Sequence, residues 1–408
     1  MSEWKRYKLS ELYEMSSGIS STKEQAGHGS PFLSFSVVFN NYFLPDSLID
    51  LMDTTVSEKQ KYSINEGDIF LTRTSETVDE LAMSSVALKD YPEASFSGFL
   101  KRLRPVDKTI VYPKFMAFYL RSPLFRRTII NNTVMTLRAS FNEAMFSYLE
   151  IMLPDFDTQK KIGDFLYSLE KKKQINNQIN QELEAMAKTL YDYWFVQFDF
   201  PDQNGKPYKS SGGKMVYTPE LKREIPEGWG VEKLGDITIC HDSKRVPLSS
   251  NDRELVKGKI PYYGATGIMD YVNDYIFDGD YVLMAEDGSV MTEKGSPILQ
   301  RISGKNWVNN HAHVLEPIKN HSCKLLMMLL KDVSVMKIKT GSIQMKINQE
   351  NMNKIVVLAI PLELLFEINQ KLEVIDKQQL NLIEENKQLT QLRDWLLPML
   401  MNGQVKVE

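Results

Sequence analysis

The chain has only two cysteines, Cys240 and Cys323, in 408 residues. That leaves no disulfide framework and no cysteine-rich zinc site. No apolar run reaches the ~18 residues a membrane span needs. The longest, Ile355 to Phe366, is broken by Pro361 and Glu363. No apolar signal-peptide core follows Met1-Ser2-Glu3-Trp4-Lys5-Arg6, so a cytoplasmic protein is expected. The Asn131-Asn132-Thr133 sequon is then incidental. Pro-Pro is also missing. Its absence excludes the Asn/Asp-Pro-Pro-Tyr/Phe motif with which an adenine methyltransferase grips an extruded base. Gly213-Lys214 is followed by Met215, and Tyr208 stands where a P-loop needs its first glycine. That segment reads as a turn. His311 and His313 alternate onto one strand face, but no third ligand follows at motif spacing. Asp278, Asp280, Glu286 and Asp287 could hold Mg²⁺ in a nuclease, yet they also fit turns and exposed strand ends.

The net charge of −4 is small and acidic, which is unpromising for a polyanion partner. Its distribution is uneven. Residues 98–140 carry nine basic side chains against Asp107 alone, and residues 294–346 carry nine against Glu316 and Asp332. Two local basic fields able to hold a phosphate backbone are therefore expected.

These stretches occupy corresponding places in a duplicated chain. Glu66-Gly67-Asp68-Ile69-Phe70-Leu71 matches Asp278-Gly279-Asp280-Tyr281-Val282-Leu283, each a tight turn leading into an alternating strand. Arg104-Pro105 and Glu316-Pro317 both close a strand, and an apolar helical stretch follows each. Phe141-Asn142 matches Ile347-Asn348, and the strand Leu149 to Pro154 matches Val356 to Pro361. A long helix is predicted after each of these prolines.

In the first helix a three-four spacing joins Ile162, Phe165, Leu169, Lys172, Asn176, Ile179, Leu183, Met186, Leu190 and Tyr193. In the second it joins Ile368, Lys371, Ile375, Gln378, Leu382, Glu385, Leu389, Leu392, Leu396 and Met399. Both are coiled-coil seams over roughly four heptads. The helices are expected to pack on each other, antiparallel because a domain lies between them. The polar positions Lys172, Asn176, Gln378 and Glu385 interrupt the stripe. They either set the register of the pair or lie where the helices diverge, and the second reading is preferred. At ~1.5 Å per residue, ~35 residues give a rod about 50 Å long. Such a rod suits a bipartite DNA site with an unread gap.

The expected organisation is an α+β fold: two recognition domains in tandem duplication, separated by two long antiparallel coiled-coil helices with pseudo-two-fold symmetry. The first recognition domain covers 1–154, the first long helix 155–197, a turn-rich linker 198–228, the second domain 229–360 and the distal helix 361–408. The linker, with Asn204-Gly205, Lys206-Pro207 and Ser210-Ser211-Gly212-Gly213, reads as a connector outside any core.

Three linked segments, Leu190 to Phe198, Gly205 to Gly213 and Arg223 to Trp229, resemble the central conserved region of type I restriction–modification specificity subunits. Ile260-Pro261-Tyr262-Tyr263-Gly264-Ala265-Thr266-Gly267-Ile268, Glu286-Asp287-Gly288 and Asn310-His311-Ala312-His313-Val314-Leu315 resemble motifs of their target-recognition domains. Leu392 to Leu400 resembles the distal conserved region. In residues 1–154 the resemblance is one of architecture. The family implies a non-catalytic subunit that binds double-stranded DNA, each recognition domain reading half of a split asymmetric site. It implies two methyltransferase subunits docked on the helices, which bind S-adenosylmethionine and methylate adenine N6. A restriction subunit that uses ATP and Mg²⁺ joins them where the system also cleaves. No cofactor or metal is expected in this chain.

Base readout calls for Arg, Lys, Asn, Gln, Ser and Thr on loops, with basic and hydroxyl groups on phosphates. In the first domain the candidates are Arg73, Thr74, Ser75 and Arg138, with Lys101, Arg102 and Arg104 positioning phosphates. Alternation puts Lys101 on the strand face opposite Arg102 and Arg104. In the second domain they are Tyr262, Tyr263 and Thr266 in one loop and Lys339, Ser342, Gln344 and Lys346 in another. The helix seam and docking surface is assigned to Ile162, Leu169, Ile179, Leu183, Met186, Leu190, Ile375, Leu382, Leu389, Leu392 and Leu396. Three other readings stay open: a stand-alone DNA-binding regulator or adaptor, an enzyme with an unrecognised motif, and a coiled-coil protein whose globular parts bind protein.

Overall fold

The computed structural model describes residues 4–133, 139–340 and 345–407. They fall into two compact units, 1–176 with 384–408 and 177–383. Both are α+β.

The first unit begins with the strand Lys5–Lys8, paired antiparallel with Glu150–Leu153. Its main sheet runs in the order Tyr13–Ser17, Leu100–Pro105, Ile69–Thr72, Ser84–Val86. The second unit repeats this plan. Gly230–Lys233 pairs antiparallel with Val356–Ala359. Its sheet runs Thr238–Cys240, Ala312–Pro317, Phe277–Ala285, Leu299–Val308 and then continues through Lys257–Tyr263 and Ile268–Val272. In the first unit the matching outer strands form a separate sheet, in which Ala26–Leu33 runs parallel to Ser95–Phe96. The duplication seen in the sequence is thus a duplication of strand order.

A helix backs each sheet. Pro113–Tyr119 starts with proline at its first position, where no intrahelical N–H is needed, and buries Phe115 through Tyr119. Cys323–Leu330 is capped by the Ser322 hydroxyl, which accepts from the Leu325 N–H.

Two long helices, Phe156–Tyr191 and Leu362–Met401, each contribute to both units. Inside the first unit they run antiparallel. Arg393 pairs with Glu170, and further along Lys172 meets Glu385 at 3.5 Å. The Asn176 amide donates to Glu385 Oε2 at 2.7 Å and to Asn386 Oδ1 at 2.9 Å. Spacing alone reads these polar positions as the place where the helices part; within this unit they are instead bonded across the pair. Inside the second unit Leu183, Ala187 and Tyr191 share a core with Leu365, Ile368, Leu372 and Ile375, and the Gln379 amide donates to the Asn180 carbonyl at 3.1 Å.

The seam differs in phase from the heptad reading. Ile162, Leu169, Leu183 and Ile375 are buried, and Leu190, Leu382, Leu389 and Leu396 are partly buried. Ile179 and Met186 are 42 % and 59 % exposed, and Leu392 is 39 % exposed. A straight helix at 3.6 residues per turn drifts against a strict seven-residue repeat. Burial therefore passes to Ala187 in place of Met186, and Arg393 turns inward beside Leu392.

The linker also differs from expectation. Phe198, Phe200 and Ile225 are buried in the core of the second unit, and Met215–Thr218 pairs with Arg223–Pro226 as a hairpin. Turn residues alternate here with aromatic anchors, so the turns close small loops onto a packed surface.

Candidate nucleic-acid interface

In each unit two segments meet beyond the end of the strand that follows the Gly-Asp turn. In the first unit Arg73 is the meeting point. Its N–H donates to the Phe99 carbonyl and its carbonyl accepts from the Phe141 N–H, both at 2.8 Å. Thr74 and Ser75 then pair with Ser140 and Ala139. In the second unit Glu286 takes the same place. Its N–H donates to the His311 carbonyl and its carbonyl accepts from the Ile347 N–H, again both at 2.8 Å. Asp287 then bridges to Lys346. The backbone frame is the same and the side chains differ.

Arg73 is exposed and keeps one long contact, from Nη1 to the Gly98 carbonyl at 3.4 Å. Thr74 is half-buried; Ser75 is buried, and its hydroxyl donates to Glu80 at 3.2 Å. Arg138 lies outside the described residues, next to Ala139 of this pairing. In the second unit Thr340 and Lys346 exchange backbone hydrogen bonds of 2.6 and 2.9 Å and form a paired foot. Ser342 and Gln344 lie outside the described residues. Lys339 is half-buried beside that foot, and Lys346 is exposed.

A charged network supports the second foot. Lys346 reaches Glu286 at 3.0 Å, and Arg245 reaches the other Glu286 oxygen at 2.7 Å. Burial pushes the Glu286 carboxyl up, but hydrogen bonds from Arg245 and Lys346 outweigh it and hold it below the usual glutamate range. The bond to Glu286 raises the Lys346 ammonium in turn. Beside them His313 is buried between the Asp242 carboxylate and the Ile347 carbonyl, while His311 pairs with Asp287 at 2.6 Å. The two histidines thus belong to separate contacts.

Cys240, Asp242 and His313 offer ligand atoms within 4.8 Å of one another. Both His313 nitrogens already face partners, Arg245 lies 3.3 Å from Asp242, and burial pushes the Cys240 thiol up to about 12.

Several basic candidates turn inward. Lys101 is buried, its ammonium on the Ser17 hydroxyl at 2.9 Å and on Glu143 at 3.5 Å. Arg102 is buried over the Phe96 ring and donates to the Ser63 carbonyl at 2.6 Å; burial lowers its pKa. Arg104 donates to both Asp68 oxygens, at 2.8 and 2.6 Å. Phosphate positioning by these three is corrected to a structural role, because each charged group is held by a partner inside the domain, although Arg102 Nε has no hydrogen-bond partner among the described residues. The strand alternation holds: Arg102 and Arg104 share Ser63, and Lys101 points elsewhere.

The same correction reaches further members of the basic stretches, while Lys108, Arg127, Lys294, Lys305, Lys319 and Lys337 stay exposed. Arg121 donates to the carbonyls of Ser84, Val38, Phe39 and Asn41, with burial lowering it to about 10. Arg301 pairs with Asp376 and Asp280, Lys324 with Glu184, and Lys331 with Asp192. Clustering along the chain therefore overstates the basic surface.

Of the remaining candidates, Tyr262 and Tyr263 end the strand Lys257–Tyr263 and only Thr266 lies in a loop; Tyr262 is 1 % exposed, and its hydroxyl accepts from the Leu248 N–H at 2.9 Å under the Arg253 guanidinium. It builds the loop and offers no ring to a ligand. Tyr263 is half-buried and Thr266 exposed. Gln300 holds the Gly264 and Ala265 carbonyls at 3.0 and 2.9 Å. Sequence reasoning missed the adjoining edge strand Ile268–Val272, where Ile268, Met269 and Tyr271 are exposed. Its alternation was legible; its edge position was not.

A family model of the type I restriction modification DNA specificity domain matches residues 1–185 and 226–391. The chain belongs to the family of type I restriction–modification specificity subunits. It is 24% identical to the type I restriction enzyme HindI specificity subunit of Haemophilus influenzae, across 99% of this chain and 100% of that protein. It is 25% identical to the MjaIX specificity subunit of Methanocaldococcus jannaschii, over 64% of this chain and 61% of that protein. Among solved structures, the S subunit of the type I system of M. genitalium has a TM-score of 0.57 at 15% identity, covering 98% of this chain and 96% of that one. That likeness extends to the fold. Among the described residues no helix is long and apolar enough to cross a membrane.

Proposed function

We propose that this chain is the non-catalytic, sequence-specific DNA-binding subunit of a type I restriction–modification complex. Each unit's recognition domain reads one half of a bipartite, asymmetric site on double-stranded DNA. The long helices set the gap between half-sites and dock two methyltransferase subunits; restriction subunits join the same assembly where the system also cleaves DNA. S-adenosylmethionine, ATP and Mg²⁺ act in those partner subunits, and the complex works in the cytoplasm.

One observation carries this reading: Arg73 and Glu286 occupy the same backbone node of a duplicated frame and bear opposite charges. A frame kept twice with different side chains suits two half-sites of different sequence. An exposed arginine is a guanine or phosphate partner, whereas the buried Glu286 orients the exposed Lys346.

The test is a DNA footprint of the chain with its methyltransferase subunit, followed by mapping of methylated adenines. Two unequal half-sites at a fixed gap are expected. A single continuous site, or methylation that persists without this chain, would refute the reading. A regulator would bind the same DNA and gain nothing from a methyltransferase.

A further inference from the structure

The segment after the first long helix builds a cleft that neither DNA reading nor the helix seam uses. Phe200 lies between two rings, stacked on Tyr208 at 4.8 Å and 15° and on Trp229 at 5.0 Å and 23°. The stack is held in place on several sides. The Tyr208 N–H donates to the Phe200 carbonyl at 3.0 Å, and the Asp199 carboxylate accepts from the Ser210 N–H and hydroxyl at 2.7 and 2.6 Å. Gly213 packs so close to the Tyr208 ring that a Cβ would meet it at 2.4 Å. These rings form one wall of a cleft of about 610 Å³, and Pro361 and Leu364 at the start of the second long helix contribute to another.

Four carboxylates line this cleft, those of Asp202, Glu227, Glu363 and Glu367, and no lysine or arginine is among its lining residues. The helix dipole accounts for Glu363, which sits in a first turn, but not for the others. Lys214 tethers Glu227 in an exposed pair, and Lys371 approaches Glu367 only to 3.7 Å. Neighbouring rings already accept cations from this chain: Arg223 stands 5.1 Å over Phe198, and Lys371 stands 5.9 Å over Trp194. The open end of the same aromatic cluster has carboxylates around it and, among the described residues, no cation lining it. Planar guanidinium suits it best, because it stacks on a ring face while donating to carboxylates at its edges. DNA does not suit it, because four carboxylates repel phosphate.

We infer that this cleft is an anchor for an arginine side chain of a protein partner. The inference rests on the proposed docking of a methyltransferase subunit for the identity of that partner. It assigns the linker face to protein and leaves the Arg73 and Glu286 faces to DNA.

The test uses the full chain and the variant Asp202→Asn/Glu363→Gln/Glu367→Gln. Each amide keeps its side chain's shape. The amide placed at position 202 retains an oxygen to accept from the Asn204 and Lys206 N–H groups, as Asp202 does. The probe is N-acetyl-arginine methylamide, read by the indole N–H resonance of Trp229 and assigned with Trp229→Phe. A saturable shift in the native chain, lost in the triple variant, is expected. The variant should also bind the methyltransferase subunit at least about tenfold more weakly and bind DNA unchanged. An unmoved Trp229 resonance, or an equal shift in the variant, overturns the site. If the subunit binds both forms equally, the cleft is overturned as its anchor while docking stands. If the native chain binds the arginine probe but not the subunit, docking falls and the arginine site stands. Altered DNA affinity in the variant would overturn the assignment of this face to protein.

Discussion

Arg104 closes on Asp68 with two hydrogen bonds, of 2.8 and 2.6 Å, and Asp68 is fully buried. The bond to Asp68 holds the guanidinium above its ordinary range. Arg104→Ala would leave a buried carboxylate without its cation. Losses of that kind are about 3–5 kcal/mol, and the partial exposure of Arg104 places it near the lower end. Denaturant unfolding should show a fall of about 3 kcal/mol. If stability is unchanged while DNA affinity falls, Arg104 belongs to the DNA surface after all.

Arg73 should behave in the opposite way. It is exposed with one long contact, so Arg73→Ala should change unfolding free energy by less than about 0.5 kcal/mol. Its loss should weaken binding about tenfold, and only on DNA that carries the first half-site intact. Competition with DNAs mutated in one half-site at a time would measure this. Equal weakening on both would remove Arg73 from half-site readout.

Ile179 and Met186 separate the seam from the docking surface. Spacing assigns both to the seam, yet both are exposed. Ile179→Glu/Met186→Glu should leave the melting temperature within a few degrees, because no core side chain is removed. The same pair should abolish co-elution with the methyltransferase subunit. Normal co-elution would move the docking surface elsewhere on the helices.

The paired foot formed by Thr340 and Lys346 should be acid-sensitive. The folded-state pKa of Glu286 is lowered, so its contribution is complete above the ordinary glutamate value of 4.5 and is lost as pH falls through the lowered one. Asp242 follows the same sense: burial raises it, and His313, Cys240 and Arg245 together outweigh burial and hold it below the usual aspartate range. Protection of the Lys346 and Ile347 amides, taken relative to their intrinsic exchange rate at each pH, should therefore fall on acidification below that range. In Glu286→Gln the foot should already be loosened at neutral pH and its acid dependence should flatten. An unchanged acid profile in the variant would mean that Glu286 does not hold the foot.

The duplicated strand order was legible because tight turns, strand-closing prolines and apolar blocks recur at matching separations. The seam was legible in direction and only partly in phase. Burial moves from Met186 to Ala187 by a local drift that no heptad count records. Charge was the least legible property. Lys101, Arg102 and Arg104 look like a phosphate grip in one dimension, but their partners Glu143, Ser63 and Asp68 come from distant parts of the chain. The aromatic cleft was hidden for a similar reason. Its glycines and prolines signalled turns, while the burial of Phe198 and Phe200 depends on Trp229 and the second helix.

The division of the chain has a bearing on its synthesis. The second unit is one continuous run, 177–383, whereas the first needs residues 384–408, where Leu397, Leu400 and Met401 complete its core. A ribosome that has made residues 1–176 has therefore not supplied a finished first unit. Domains made early usually fold early; here the half translated first must wait for the last helix turns to leave the exit tunnel. Until then its apolar floor stays open to chaperones.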